Sequence, residues 1–218
     1  MRARLSLLVV LLTFIGGCSV LGRLDLGRVV TSGRDGWQHP EQVIAALDLS
    51  PGDRVAEIGA GDGYWLPWLA EAVGSDGRVY AVEVDDVLVE ELLERVARES
   101  LDNVVVLRGR FEDPELPDGE IDLAMTCLTY HHIEERAVYF KKLQVDLSPR
   151  GRVAHLDDRD DVPPPFRWFQ TAGHWTDPAA MREEMAEAGY RRVEAFSFLP
   201  LQSFQIFVPE GEPLGERP

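Results

Sequence analysis

The feature that most constrains the fold is a short apolar segment that runs directly into three alternating glycines. Residues 55–58 read Val-Ala-Glu-Ile, and Gly59, Gly61 and Gly63 follow before a helical pattern begins. A strand that passes through a glycine loop into a helix is typical of an open α/β sheet, whose ligand crevice lies beyond the carboxyl ends of the strands. Glycines there let a ligand approach the backbone without a Cβ in the way. The segment therefore predicts a site for a nucleoside-shaped ligand.

Strand and helix patterns alternate along the rest of the chain, as such a sheet requires. The predicted strands lie at residues 54–58, 78–84, 103–107, 121–127, 151–157, 192–198 and 202–208. The predicted helices lie at residues 40–47, 65–73, 86–99, 134–147 and 178–188, and a turn is predicted at 149–151. We expect an α/β fold with a doubly wound, mainly parallel seven-stranded sheet that ends in an antiparallel hairpin.

Length and charge limit what this domain can bind. The 218 residues, with 45% hydrophobic and 28% charged, fit one globular domain at 37–208 followed by a tail at 209–218. The formal net charge of −16 at pH 7 repels phosphate backbones. We therefore do not expect a nucleic acid as the substrate.

The first residues have the pattern of an export signal. Arg2 and Arg4 precede an uncharged stretch at 5–15, which is too short to span a bilayer as a helix of about 20 residues. Ile15-Gly16-Gly17-Cys18 then resembles the lipobox of bacterial lipoproteins, in which cleavage before the cysteine accompanies lipid attachment to its sulfur. This resemblance implies a signal peptide at 1–17 and a lipid on Cys18; an ordinary cleaved signal and an uncleaved anchor are the alternatives.

Residues 18–36 are rich in Gly and Arg without a sustained period, which indicates a tether between lipid and domain. The expected location is the cell envelope, with the domain facing the periplasm or the exterior. Ser19 stands where the inner-membrane retention signal of lipoproteins usually has Asp, which favours the outer membrane.

Two acidic residues indicate the kind of nucleoside. Glu57 precedes the first glycine by two residues, and Glu83 ends the second predicted strand, where an acid can accept hydrogen bonds from both ribose hydroxyls. The G-x-G-x-G spacing differs from the G-x-G-x-x-G that brings a helix N-terminus against a pyrophosphate. A carboxylate at Glu57 suits a cationic ligand better than a pyrophosphate.

With these features the chain resembles class I S-adenosylmethionine-dependent methyltransferases across nearly all of residues 37–208. The segment Trp37-Gln38-His39-Pro40 resembles one that precedes the first strand in exported members of that family. The resemblance implies a Rossmann-like methyltransferase fold with S-adenosyl-L-methionine as the cofactor. It implies that the ribose is held by Glu83 and that the methionine portion is lined by Glu57, Gly59, Gly61 and Gly63.

The same resemblance implies contacts with the rest of the cofactor. Gly109-Arg110-Phe111-Glu112 matches the place where the family contacts adenine. Arg110 stands where Asp is frequent, so the backbone of Phe111 is expected to make that contact. Thr126 and Cys127 are expected to reach the sulfonium from its far side.

Methyl transfer needs no covalent residue, because its main requirement is an acceptor held in line with the S–CH3 bond. A protonated acceptor also needs a base, and the candidates follow the fourth predicted strand. His131 and His132 are the candidate catalytic residues, with His131 favoured, and Tyr130 is a candidate substrate-side residue. The alternative is that one histidine packs under the following helix while the other is solvated.

Polar residues near the fifth predicted strand invite a metal-site interpretation. His155, Asp157 and Asp158 are of ligand type, but polar residues are common at such strand ends, so no metal site is predicted. His174-Trp175 is interpreted as packing or as part of a lid. The lid itself is predicted at residues 160–175, which contain several prolines and aromatic residues.

Two function classes follow. The first is a methyltransferase that acts on an unidentified acceptor. A small-molecule acceptor is favoured, and a lipid-soluble compound and an envelope protein are the alternatives. The second is a degenerate S-adenosylmethionine-binding or scaffold lipoprotein without activity, because export would separate the domain from the cytosolic supply of the cofactor. A nicotinamide-linked oxidoreductase is a third, minor alternative.

Overall fold

A computed structural model describes residues 33–162 and 174–211. The chain divides into two compact units, Met1–Trp37 and Gln38–Pro218. Apart from a helix at Asp35–Gln38, which begins in the first unit, the fold described below is that of the second. Cys18, the predicted signal peptide and most of the predicted tether and lid lie outside the described residues. Within the described ranges, no helix is both long and apolar enough to cross a bilayer.

The described elements alternate as the sequence predicts. The helices are α1 Asp35–Gln38, α2 Pro40–Leu47, α3 Leu66–Val73, α4 Asp86–Glu99, α5 Arg136–Leu143 and α6 Pro178–Glu187, with a 3-10 turn at Tyr130–His132. The strands are β1 Arg54–Ile58, β2 Arg78–Glu83, β3 Val104–Arg108, β4 Ile121–Cys127, β5 Leu147–Asp158, β6 Tyr190–Phe196 and β7 Gln202–Pro209.

The seven strands form one sheet in the order β3-β2-β1-β4-β5-β7-β6. Strands β1 to β5 pair in parallel, whereas β7 runs antiparallel to both β5 and β6. The predicted fold class is therefore confirmed, including the antiparallel C-terminal hairpin. Since the chain winds outward in both directions from β1 and β4, the crevice lies at their carboxyl ends.

Helices cover both faces of the sheet, because side chains along each buried strand alternate between two cores. One core packs Val55 of β1 against helices α2, α3 and α4, and includes Leu47, Leu69 and Leu92. The other packs Ala56 of β1 against helices α5 and α6. Residues 55–58 of β1 are thus buried, which fixes the glycine loop at the end of the strand.

Strand β5 departs from the prediction. It begins at Leu147 instead of 151, and the predicted turn at 149–151 lies within it as an irregularity. Ile121 of β4 pairs with Leu147, but Leu123 pairs with Arg152, so the intervening residues bulge out of register. The proline and glycine of the segment interrupt the pairing without ending the strand.

Candidate active site

The glycine loop after β1 is shaped by three residues in the left-handed region, with φ of 74° at Gly59, 55° at Gly61 and 75° at Gly63. A Cβ at Gly59 would collide with the side chain of Thr129, and a Cβ at Gly63 would lie 2.8 Å from Leu92. A Cβ at Gly61 would meet nothing within 4 Å. Protein packing thus requires the outer two glycines, whereas Gly61 borders open space.

Glu83, at the end of β2, borders the crevice beside the glycine loop. Its Oε2 accepts a hydrogen bond from the Gly61 N–H at 2.9 Å, and its Oε1 accepts from the N–H groups of Val84 at 2.8 Å and Asp85 at 3.2 Å. A carboxylate offers about four acceptor positions, so three backbone donors leave about one for a ligand hydroxyl. The predicted ribose acid therefore also holds the glycine loop in place.

Glu57 lies on β1 between Ala81 of β2 and Met125 of β4, and it is 2% exposed. The structure therefore brings Glu57, the glycine loop and Glu83 to the same edge of the sheet. Buried carboxylates of this kind are suited to compensating a cationic group.

The loop after β3 presents an aromatic ring to solvent. Phe111 is 76% exposed, and Arg110 beside it pairs with Glu115 at 2.8 Å. Gly109 packs closely against Val82 of β2, which draws this loop toward the crevice. An exposed Phe111 here offers a face on which a base can stack as well as the backbone contact expected from the sequence.

Thr126 does not face the crevice, which corrects the expectation that it reaches the sulfonium. It is fully buried, and its Oγ1 lies 2.8 Å from His155 Nδ1. Burial lowers the pKa of His155 to about 3, so this imidazole is a neutral core residue. The strand pleat explains the error, because Thr126 points to the opposite face from Cys127.

Cys127 lies on the other face, where its sulfur accepts a hydrogen bond from Gln38 Nε2 at 3.0 Å. The same amide nitrogen donates to Gln202 Oε1 at 3.1 Å. Gln38 therefore joins the end of β4 to the start of β7, which gives the Trp37–Pro40 segment a structural role at the crevice.

Tyr130 is also a correction, because its side chain is fully buried and stacks on Phe140. Its hydroxyl donates to Glu184 Oε2 at 2.8 Å. Burial, followed by the hydrogen bond to Glu184, raises the pKa of this phenol well above its usual range. Tyr130 therefore joins the 3-10 turn to α6 from within the core.

His131 has the surroundings of an oriented imidazole. Its Nδ1 lies 2.7 Å from Asp157 Oδ1, and its side chain is 6% exposed. Asp157 is fully buried at the end of β5, and its Oδ2 accepts a hydrogen bond from Thr176 Oγ1 at 2.6 Å. The chain Thr176–Asp157–His131 fixes the ring and leaves its Nε2 for another partner.

Two further imidazoles lie beside His131. Its ring centre is 4.1 Å from that of His132 and 5.3 Å from that of His174, and the latter two are 5.1 Å apart. Burial, followed by the nearby His131 and His174, lowers the pKa of His132. His132 and His174 are both exposed. We refer to His131, His132 and His174 as the histidine cluster.

Sequence reasoning missed three residues of this region. Thr129 closes over Gly59, and its Oγ1 lies 3.3 Å from the Gly59 carbonyl oxygen. Asp157 was considered only as a metal ligand, and His174 only as packing or lid. The position of Asp157 at a strand end signalled the crevice, whereas His174 is brought in by tertiary structure that no local pattern encodes.

The sheet order, with the glycine loop after β1 and an acid on each of β1 and β2, has the arrangement of the Rossmann-like methyltransferase fold. Residues 55–151 match the protein family described as "Methyltransferase domain". This part of the chain is therefore similar to methyltransferase domains of class I, as the sequence resemblance implies.

Several known proteins are similar to this chain. The 2-phytyl-1,4-naphtoquinone methyltransferase of Synechococcus elongatus is 31% identical over 66% of this chain and 63% of its own length. The crystal structure of a SAM dependent methyltransferase from Aquifex aeolicus has a TM-score of 0.67 and 26% identity, covering 78% of this chain and 89% of that one. Aeropyrum pernix fibrillarin, crystallised with natively bound S-adenosyl-L-methionine, shares the fold at 16% identity and a TM-score of 0.57, covering 77% of this chain and 74% of that one.

The chain spans 30% to 63% of the length of the curated relatives it matches. S-adenosyl-L-methionine is the cofactor of the family, and the crevice residues fit it. Gly61 leaves open space at the loop, while Glu57 and Glu83 supply negative charge on neighbouring strands. When bound, this cofactor supplies an electrophilic methyl group.

Proposed function

We propose that this protein is a methyltransferase that binds S-adenosyl-L-methionine across the ends of β1 and β2. The observation that carries the proposal is the hydrogen bond from the Gly61 N–H to Glu83, since it joins the loop glycine that adjoins open space to the proposed ribose acid. In this arrangement Glu57 and the glycine loop bind the methionine portion, and Phe111 covers the adenine.

The acceptor is proposed to enter beside the histidine cluster, of which His131 and His132 follow β4 at the same edge of the sheet. A protonated acceptor needs a group that takes its proton, and the Nε2 of His131 is available because Asp157 holds the Nδ1 side. A small molecule is the favoured acceptor, in keeping with the relative named as a naphthoquinone methyltransferase.

The first prediction concerns Glu83, whose change to alanine removes the ribose acceptor. We expect Glu83→Ala to weaken S-adenosylhomocysteine binding about 10- to 100-fold, because a hydrogen bond to a charged group contributes about 1.5–3 kcal/mol. Isothermal titration calorimetry on the purified full-length chain measures the effect.

A matched control is Glu120→Ala, because Glu120 is an exposed carboxylate that pairs with Arg54 at the amino end of β1. This variant should bind as the wild type does. Unchanged affinity in Glu83→Ala, with both variants folded by circular dichroism, would contradict the proposed cofactor site.

Activity is tested with labelled S-adenosylmethionine and cell-envelope extract. Transfer of label to a small-molecule fraction supports the proposal, and transfer to protein changes the acceptor class. Cofactor binding without transfer to any acceptor would instead support the inactive, scaffold alternative.

We also propose that the domain is exported and anchored through Cys18, a proposal that rests on the sequence of residues 1–19. Mass spectrometry of the mature protein should find diacylglyceryl-modified Cys18 at its amino terminus. An intact Met1 would rule the anchor out, and Cys18→Ser should release the protein from the membrane fraction.

A further inference from the structure

Within residues 33–162 and 174–211, the histidine cluster brings three possible metal ligands close together. Three of the five histidines of the chain meet here, although His174 is distant in sequence from the other two. One nitrogen atom from each imidazole lies within 4.8 Å of one from each of the others. Because His132 and His174 are exposed, hydrophobic packing explains their convergence poorly.

The distances between the imidazole nitrogens of the cluster are close to those that a tetrahedral metal site requires. Nitrogen ligands that are about 2.0–2.1 Å from zinc lie about 3.3 Å from one another. The two exposed imidazoles can shorten the present separations by side-chain rotation, whereas His131 is already held.

The surroundings of His131 match those of a metal-binding imidazole. Such a ring usually donates its second N–H to a carboxylate, which fixes the tautomer and raises the basicity of the ligand nitrogen. Asp157 accepts in this way at 2.7 Å and is itself fixed by Thr176 at 2.6 Å. The buried carboxylate also places negative charge next to the cluster, which favours a cation.

We propose that His131, His132 and His174 bind a divalent transition-metal ion of the zinc class, with Asp157 holding His131 in the ligand orientation. Three imidazoles suit zinc and its neighbours rather than magnesium or calcium, which prefer oxygen ligands. Three protein ligands leave a fourth position for water or an acceptor atom, as in catalytic rather than structural zinc sites. In the loaded protein the Nε2 of His131 binds the ion instead of an acceptor proton.

The test uses the purified full-length chain, stripped with a chelator and titrated with Co2+ alone. Tetrahedral Co2+ absorbs visibly, so the spectrum reports geometry as well as binding. We expect one ion per chain with a tetrahedral spectrum, displaced by Zn2+. Calorimetry with Zn2+ alone gives the affinity.

Variants show which residues bind the ion. His132→Gln and His174→Gln change exposed side chains, and each should weaken Zn2+ binding by more than about 10-fold; Asp157→Asn should weaken it by about 10- to 100-fold. His39→Gln removes a histidine outside the cluster and should leave binding unchanged.

Absence of a tetrahedral spectrum in the wild type would overturn the proposal, and so would equal Zn2+ affinity in His174→Gln. Titration of the same samples with S-adenosylhomocysteine tests the cofactor site separately. Loss of zinc binding with intact cofactor binding therefore distinguishes failure of this inference from failure of the proposed function.

Discussion

At the residue scale, the three glycines of the loop differ in what they contribute. Gly63 is enclosed by Leu66 and Leu92, so a side chain there would crowd the core. Gly61 has the same backbone requirement but adjoins open space. The effect of a side chain on packing and its effect on ligand access can therefore be separated by substituting Gly63 and Gly61 one at a time.

We predict that Gly63→Ala mainly reduces stability and that Gly61→Ala mainly reduces cofactor affinity. Both variants incur roughly 1–2 kcal/mol for a left-handed alanine, and crowding adds about 1–3 kcal/mol at Gly63 only. Urea unfolding and S-adenosylhomocysteine calorimetry measure the two effects. If Gly61→Ala bound S-adenosylhomocysteine as tightly as the wild type does, the ligand would not approach this glycine.

Residue roles were harder to predict than residue positions. Glu57 and Glu83 were placed at the crevice because strand ends in a parallel sheet meet at one edge. Thr126 and Tyr130 were near the right place in the chain, but their side chains point into the core. Their direction depends on the pleat and on packing partners from other elements, which spacing along one segment does not contain.

At the element scale, the 3-10 turn, α5 and α6 are joined by one ionic network. Arg136 at the start of α5 forms two hydrogen bonds of 2.7 Å with Glu184 of α6, and Tyr130 donates to the same carboxylate. The Arg136 hydrogen bond is the largest cause that lowers the pKa of Glu184. The network therefore positions the turn that carries His131.

We predict that Glu184→Gln is less stable than the wild type at neutral pH, by on the order of 1 kcal/mol for a partly exposed bidentate pair. Because the folded pKa lies below the unfolded value of 4.5, the stabilisation is present above about pH 4.5 and is lost as pH falls through the folded pKa. The urea unfolding midpoints of the wild type and of Glu184→Gln should become equal as the pH is lowered through this range. The control is Glu183→Gln, which changes an exposed neighbouring carboxylate. If the stability difference between the wild type and Glu184→Gln did not change with pH, the role assigned to the Glu184 carboxylate would be contradicted.

Most element boundaries could be predicted, because their signals are local. Helix α4 begins and ends where predicted, and Asp85 caps it by accepting from the N–H groups of Val87 and Leu88. Helix α5 is shorter than predicted, since it starts at Arg136 and ends at Leu143. The histidine cluster had no such signal, because its geometry arises from the separate placement of β4 and of the segment before α6.

At the scale of the whole molecule, the acidic residues of the chain add to the effect of burial on the pKa of Asp146. Asp146 precedes β5 and is 8% exposed, and burial together with Asp113 and Asp118 raises its pKa to about 7. Its protonated form is stabilised in the folded protein, so this contribution to stability is present in acid and is lost as pH rises toward about 7.

We predict that Asp146→Asn is more stable than the wild type at about pH 8 and that this gain disappears near about pH 4. Urea unfolding at the two pH values measures it. Asp76→Asn removes the same charge from an exposed position, so its free energy of unfolding relative to the wild type should depend little on pH. An equal gain in both variants would assign the effect to net charge instead of burial.

The reversed strand β7 also has a consequence for biosynthesis. It lies between β5 and β6, and residues 202–208 are buried. Until these residues emerge from the ribosome or a secretion channel, β5 keeps an open hydrogen-bonding edge that can pair with other nascent chains. The sheet therefore closes only after nearly all of the domain has been synthesised, and a holdase chaperone that shields β5 would protect the polypeptide until then.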